Sequence, residues 1–237
     1  MRYYGLTDQG KVRKQNEDCF YIDEKNTVFF VADGMGGHNA GQVASQMSSQ
    51  ITEDYINEHI SEDESIADLL RDAIVKANSD IYQKASKERS YSGMGTTVEA
   101  CAIKENKLFS AHVGDSRLYR LRDSEFRQLT TDHSYVEMLI RNGDITREEA
   151  REHPNRNVIT RAVGTDPTVE IDSAEFEIKP KDVYLLCTDG LTEMLEDSEI
   201  QEIISRDIPL KDQVEYLVQT ANEKGGTDNV TVLMIQI

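Results

Sequence analysis

The sequence predicts an α+β fold in which two mainly antiparallel β-sheets are stacked face to face and flanked by antiparallel helix pairs. Two observations carry this. Apolar and alternating runs read as strands first, then two helical patterns, many strands, two more helices and a last strand. Neighbouring strands are joined by short, hairpin-like connections, which favours antiparallel sheets with segregated helices over βαβ alternation. There are enough strands for two sheets, which leaves the outer faces to the helices.

In chain order, residues 2–7 and 19–23 read as short strands around a polar loop, Gly10 to Asp18, that holds Arg13, Asn16, Glu17 and Asp18. Charge this dense between two strands is either a salt-bridged turn or a ligand site. Val28 to Ala32 read as a buried strand that ends at Asp33. Gly36 and Gly37 then lead into a helical pattern, so Asp33-Gly34 reads as a strand-to-helix junction and not as a hairpin turn. Asn39 is the expected N-cap of a helix reaching about residue 60, with Val43, Met47, Ile51 and Tyr55 as its core face. A second helix buries Ile66, Leu70, Ile74, Ala77 and Ile81.

Strands follow at 96–103, 107–113 and 117–122, the first two joined by the turn Glu105-Asn106. Residues 133–164 lack a sustained strand pattern and are expected to hold two short helices in an excursion. Strands at 168–178 and 182–188, helices at 197–204 and 210–223 and a strand at 230–237 complete the chain.

The 237 residues show no linker, repeat or low-complexity run, so a single domain spanning 1–237 is expected. Forty-four acidic side chains against 26 Lys and Arg give a net charge of −18, which argues against nucleic acid or an anionic membrane as partner. Cys19, Cys101 and Cys187 are odd in number and sit in apolar strands, as reduced thiols of a cytoplasmic protein would. No apolar run approaches the ~20 residues of a membrane span.

Chemistry enters with the acids. Asp33, Asp115 and Asp189 each follow an apolar strand and precede Gly or Ser, and Asp228 stands just before a strand. Singly, each is a turn residue. Together they suggest carboxylates converging at one edge of the sandwich, where they would repel unless a cation met them. All-oxygen ligands select Mg2+ or Mn2+, and two ions ~4 Å apart sharing a carboxylate suit phosphoester hydrolysis. Arg13 supplies a guanidinium fork for the phosphate. Asp115 is the weakest member of the set, since Arg117 could pair with it.

Arg13-Lys-Gln-Asn16-Glu17-Asp18, Val31-Ala-Asp33-Gly34-Met35-Gly36-Gly37-His38, Ser92-Gly93-Met94-Gly95-Thr96-Thr97, Val113-Gly114-Asp115-Ser116-Arg117, Thr188-Asp189-Gly190-Leu191 and Gly226-Thr227-Asp228-Asn229 resemble, in order and spacing, the motif series of the metal-dependent protein phosphatases of type 2C. The Asp-Gly-Met-Gly-Gly-His form is similar to the bacterial branch. The resemblance implies a four-layer αββα sandwich, dependence on Mg2+ or Mn2+, and hydrolysis of phosphoserine and phosphothreonine in proteins by a metal-bridging hydroxide, without a phosphoenzyme. It implies that Asp33 bridges two central ions, that the Gly34 carbonyl binds one and Asp189 and Asp228 the other, and that Asp115 with Asp189 holds a third, weaker ion. Arg13 would grip the phosphate. Glu17 and Asp18 would orient the waters around the ions.

The pattern departs from the family at one point: where the eukaryotic branch has its proposed general acid, a His directly after Asp-Gly, this chain has Met35. His38 is the nearest candidate to protonate the leaving oxygen; a structural histidine at a helix start is the competing reading, with metal-bound water then doing the same job. The excursion at 134–164 corresponds to the family's variable flap. Its five arginines (Arg141, Arg147, Arg151, Arg156, Arg161) balance Glu137, Asp144, Glu148, Glu149 and Glu152, and read as helix-surface charge or as a phosphopeptide contact.

Gly5 to Val12 nearly matches a phosphate-binding loop but ends in Val and precedes no helix. Gly34-Met-Gly36 lacks the third glycine of a dinucleotide site, having Asn39 there. A cysteine-dependent phosphatase needs Arg six residues after its nucleophile; positions 25, 107 and 193 are Lys, Lys and Glu. The remaining alternative is a non-catalytic phosphoprotein-binding relative. The expected partners are phosphorylated proteins, targets of a Ser/Thr kinase and that kinase itself, acted on by a monomer.

Overall fold

The computed structural model describes residues 1–37, 39–60 and 65–237. Strands β1 (Arg2–Asp8), β2 (Asp18–Asp23) and β3 (Val28–Met35) open the chain, followed by helices α1 (Ala40–His59) and α2 (Ile66–Lys87). Then come β4 (Gly95–Thr96), β5 (Val98–Lys104), β6 (Lys107–Val113), β7 (Arg117–Arg122) and β8 (Glu125–Gln128). Helices α3 (Tyr135–Asn142) and α4 (Arg147–Arg151) occupy the excursion. The chain closes with β9 (Asp172–Glu177), β10 (Val183–Cys187), α5 (Asp189–Thr192), α6 (Asp197–Ile204), α7 (Leu210–Glu223) and β11 (Val230–Gln236).

Period-two alternation along β3 sets the layers. Val28, Phe30 and Ala32 pack with α1 and α2, whereas Phe29 and Val31 point into the space between the sheets. One sheet runs β1-β11-β10-β7-β8 and the other β2-β3-β5-β6-β9, with β4 added to β3. The strand pairs are antiparallel. A third apolar cluster joins β7, β10 and β11 to α5, α6 and α7. The result is the expected αββα stack, with one buried layer between the sheets and one under each helical layer.

Local chemistry explains most of the elements. Glu105 and Asn106 both adopt positive φ, as a two-residue hairpin with the primed twist requires. Asp123 and Ser124 do the same between β7 and β8, a strand the sequence pattern did not predict because Glu-Phe-Arg-Gln carries one apolar residue. Residues 168–178 shrink to the six of β9. The second helix buries its expected stripe in full.

Two expectations are corrected around α1. Val43, Met47, Ile51 and Tyr55 form a half-buried flank, while the buried face is Ala40, Gly41, Ala44, Ser45, Ser48, Ser49, Thr52 and Ile56. Small residues lie inward because α1 presses on β3: a Cβ on Gly34 would stand 2.1 Å from the Gly41 carbonyl oxygen. Asn39 also makes no side-chain cap bond. The backbone N–H groups of Gln42 and Gly41 instead face the Glu17 carboxylate, which takes over the N-cap's task from the loop before β2.

Candidate metal centre

Asp33 does not end its strand. β3 continues through Gly34 and Met35, which pair with Thr96 and Gly95, so the carboxylate projects from within the sheet. Its backbone is pinned on both sides: Asp33 N–H donates to Thr97 Oγ1 at 2.9 Å, and Thr97 N–H and Thr96 Oγ1 donate to its carbonyl, each at 2.8 Å. The direct cross-strand partner of Asp33 is Asp18. Both lie on the inter-sheet face, two residues along from Val31 and Phe20 respectively. Like charges opposite one another destabilise a sheet.

The other sheet brings Asp189 and Asp228 to the same edge. Asp189 is the first residue of α5, and Gly190 fits against β11 so closely that a Cβ there would stand 1.9 Å from the Asn229 carbonyl oxygen. Asn229 ties the neighbouring loop down, donating from Nδ2 to the carbonyls of Gln9 and Gln15 at 2.9 Å each and accepting the Glu17 N–H at 2.8 Å. That loop delivers Arg13, whose Nη2 meets Asp228 Oδ2 at 2.6 Å. Gly34 lies beside Asp33 and donates its N–H to the Glu17 carbonyl at 3.2 Å.

The electrostatics report crowding. Burial, then the charges of Asp18, Asp189, Asp115 and Asp228, raise the Asp33 carboxyl well above its ordinary range. Asp189 is raised well above its range by burial, followed by Asp115, Glu193, Asp228 and Asp18. Asp18 is pushed up to about 7 by burial, against the pull of two hydroxyls: Thr188 and Thr231 donate to its Oδ2 at 2.8 and 2.7 Å. Asp115 is pushed up to about 7 by burial and by Asp132. Arg117 does not neutralise Asp115 by direct pairing. It grips Asp132 instead, with Nε 3.0 Å from each oxygen and Nη2 2.6 Å from Oδ2.

The cluster fits divalent cations. Glu17 Oε1, Asp18 Oδ1 and Asp189 Oδ1 are buried oxygens with no partner among the described residues, a costly arrangement unless a cation or water meets them. The donors are oxygen throughout, which suits Mg2+ or Mn2+. Among the described residues no three His, Cys, Asp or Glu side chains are gathered closely enough to hold an ion by themselves, so backbone oxygens and waters would have to complete the coordination, as Mg2+ ordinarily allows. A cavity of about 650 Å3 adjoins the centre, walled by Asp115, Asp132, Asp189 and Glu193 on one side and by α3 and α4 on the other. Arg151 crosses from α4 to Glu196, at the start of α6, at 2.9 Å.

The structure thus brings Arg13, Glu17, Asp18, Asp33, Gly34, Asp115, Asp189 and Asp228 to one end of the sandwich; His38 lies outside the described residues. Sequence reasoning gave no role to Thr97, Asp132, Thr188, Glu193, Thr231 or Asn229. Thr188 and Asn229 adjoin the acids in their motifs, and Thr130-Thr-Asp-His-Ser is a run of polar residues just before the excursion, so each left a signal.

Comparison with known proteins places these residues in a family. A profile described as Protein phosphatase 2C matches residues 11–233. The serine/threonine phosphatase stp of Listeria innocua is 39% identical over 235 residues, covering 97% of this chain and 93% of that protein. The crystal structure of the serine/threonine phosphatase PstP/Ppp of Mycobacterium tuberculosis superposes with a TM-score of 0.91 at 37% identity, covering 98% of this chain and 97% of the other. A structure of the PstP catalytic domain in complex with two manganese ions gives 0.88 at 37% identity, covering 98% and 96%.

Proposed function

Because the chain belongs to the protein phosphatase 2C family, we propose that its acid cluster hydrolyses phosphoserine and phosphothreonine in proteins without a phosphoenzyme intermediate. The enzyme is a bacterial-type, Mn2+- or Mg2+-dependent protein serine/threonine phosphatase. The convergence of Asp33, Asp189 and Asp228 from two sheets, beside unpartnered buried oxygens, supports the reading most directly.

In this reading Asp33 would lie between two central ions, the Gly34 carbonyl would serve one, Asp189 and Asp228 the other, and Asp115 with Asp189 a third. Bound divalent cations supply Lewis acidity that offsets the phosphoryl charge and makes water a nucleophile near neutral pH. The side chains do the rest. Arg13 leaves Asp228 to hold two phosphoryl oxygens and orient the phosphorus for attack from the opposite side. Glu17 and Asp18, fixed by backbone N–H groups and threonine hydroxyls, accept hydrogen bonds from waters in the cluster and orient them. His38 is the side chain proposed to return a proton to the leaving oxygen.

The chain acts as one domain spanning 1–237, with a flap at about 134–164 that contacts the phosphopeptide through the cavity above α5. Its substrates are proteins phosphorylated by a Ser/Thr kinase, the kinase included. A cytoplasmic monomer is the form proposed; among the described residues no helix is long and apolar enough to cross a membrane.

Hydrolysis of p-nitrophenyl phosphate with Mn2+, abolished by EDTA and reduced at least ~100-fold by Asp189→Ala, is the expected result. Sustained turnover in EDTA would reject the metal mechanism. Phosphoprotein binding with no turnover under any divalent ion would instead make the chain a non-catalytic binding module.

A further inference from the structure

Glu99 and His112 face each other across β5 and β6 and are sealed from solvent, at 0% and 1% exposure. They share the inter-sheet side with Cys101 and Leu108, respectively. His112 Nδ1 lies 3.0 Å from Glu99 Oε2, a close charge contact whose angle is poor for a hydrogen bond. The other Glu99 oxygen has no partner among the described residues. Apolar residues in such a place are often as stabilising or more so, and neither residue enters the hydrolysis described above. What the pair touches suggests its use.

His112 Nε2 is 3.2 Å from the Thr131 carbonyl, and its ring packs on that of His133 with centroids 4.7 Å apart. His133 in turn holds Gly114 from both sides, donating its N–H to the Gly114 carbonyl at 2.7 Å and accepting the Gly114 N–H on Nδ1 at 3.0 Å. Its carbonyl accepts the Thr160 N–H at 2.8 Å. Nδ1 accepts, and Nε2 faces both Asp172 at 3.2 Å and Arg161 Nη1 at 3.0 Å, so the ring is also held at the start of β9. Burial, then His112 and Arg161, lower the His133 pKa and keep the ring neutral. Gly114 precedes Asp115, while Ser134 and Thr160 stand at the two ends of the flap. One residue therefore ties both ends of the flap to the loop bearing an acid of the metal centre: its backbone holds Gly114 and Thr160, and its imidazole holds Gly114 a second time. That imidazole leans on His112.

We propose that the Glu99–His112 pair is a positioning device for the flap root. By pinning the His112 ring between the Glu99 carboxylate and the Thr131 carbonyl, it sets His133 and, through it, the entrance that a phosphopeptide meets. The substrate part of this inference rests on the phosphatase reading; the structural part does not.

The test uses the full chain in two measurements. In metal-free protein, Glu99→Gln keeps the volume and removes the charge. It should speed amide hydrogen exchange at Gly114, His133 and Thr160 about tenfold or more, with Val31 and Leu233 within about twofold. Under Mn2+, it should raise KM for a phosphothreonine peptide at least ~threefold and change turnover of p-nitrophenyl phosphate by less. Glu99→Ala and His112→Ala should go further in the same direction. Faster exchange spread evenly over both sheets, unchanged exchange at the three amides, or equal losses on the two substrates would each overturn the proposal. Turnover of p-nitrophenyl phosphate by the unmodified chain tests the phosphatase reading separately.

Discussion

Asp18 sits where the role proposed for it would come at a cost to stability. It faces Asp33 across the strand pair, with one oxygen held by two threonines and the other unpartnered. An Asn at 18 keeps an oxygen for the threonines and turns an NH2 toward the crowded acids. Asp18→Asn should therefore stabilise the metal-free protein by about 1 kcal/mol, while shrinking the rise in melting temperature that Mn2+ induces. Differential scanning fluorimetry with and without Mn2+ reads both. His38 is tested through the leaving group: His38→Ala should slow a phosphoserine peptide ~10-fold or more and leave p-nitrophenyl phosphate, whose phenolate needs no proton, nearly unchanged. Asp182 has a different role. Burial works to raise its pKa, but Arg122, at 2.7 and 2.6 Å, with Lys179 N–H and the Tyr184 hydroxyl, brings it below the ordinary value. A carboxylate lowered on folding stabilises above its unfolded pKa, and that stability is lost as pH falls through the folded value. Asp182→Asn should cost about 1–3 kcal/mol at pH 7, and the cost should shrink only below the ordinary carboxylate value of about 3.8, toward and through the lowered folded one, measured by urea unfolding down to about pH 2.

At the level of elements, α2 was legible because Ile66, Leu70, Ile74, Ala77 and Ile81 are large enough, or regular enough, for their spacing to mark the buried face. The same logic misread α1. There the apolar row lies on the flank, and the true contact is made of Gly, Ala, Ser and Thr, which hydropathy does not distinguish from a solvated face. Asp33 was identified but misplaced, because Gly36 and Gly37 ahead of a helical pattern read as a strand-to-helix junction; the pairing of Gly34 with Thr96, over 60 residues away, carries the strand past it. The acids themselves stood out because each adjoined an apolar run, whereas Glu193 and Thr231, which stand in no polar motif, signal nothing until the fold is closed. The α1–β3 contact makes a signed prediction. Gly→Ala in a helix interior ordinarily stabilises by about 0.5–1 kcal/mol. A Cβ on Gly41 would stand 2.6 Å from the Gly34 oxygen, so Gly41→Ala should instead destabilise by about 2 kcal/mol or more, read from the urea midpoint.

For the whole molecule, the acids matter because they come from two sheets. Asp18 and Asp33 belong to one, while Asp189 and Asp228 stand at strand ends of the other. Cations held among them would fasten the sandwich at one end, so Mn2+ at 100 times its Kd should add about 2.7 kcal/mol to global stability. Asp228→Ala should abolish most of that gain. The net charge of −18 repels an acidic substrate from a distance. Raising NaCl from 20 to 150 mM should increase kcat/KM for an acidic phosphopeptide more than for a neutral one, since the Debye length shrinks to about 8 Å.

The 2.6 Å contact between Arg13 and Asp228 has a further consequence. The same oxygen cannot serve the guanidinium and a cation equally well, so an ion that Asp228 held, as proposed, would compete with the arginine for it. An ion-starved chain would thus be blind to phosphate as well as inert toward it, with ion loading gating substrate capture. Inorganic phosphate, a product, should then be a poor inhibitor of the stripped protein's ion uptake and a good ligand only of the charged one.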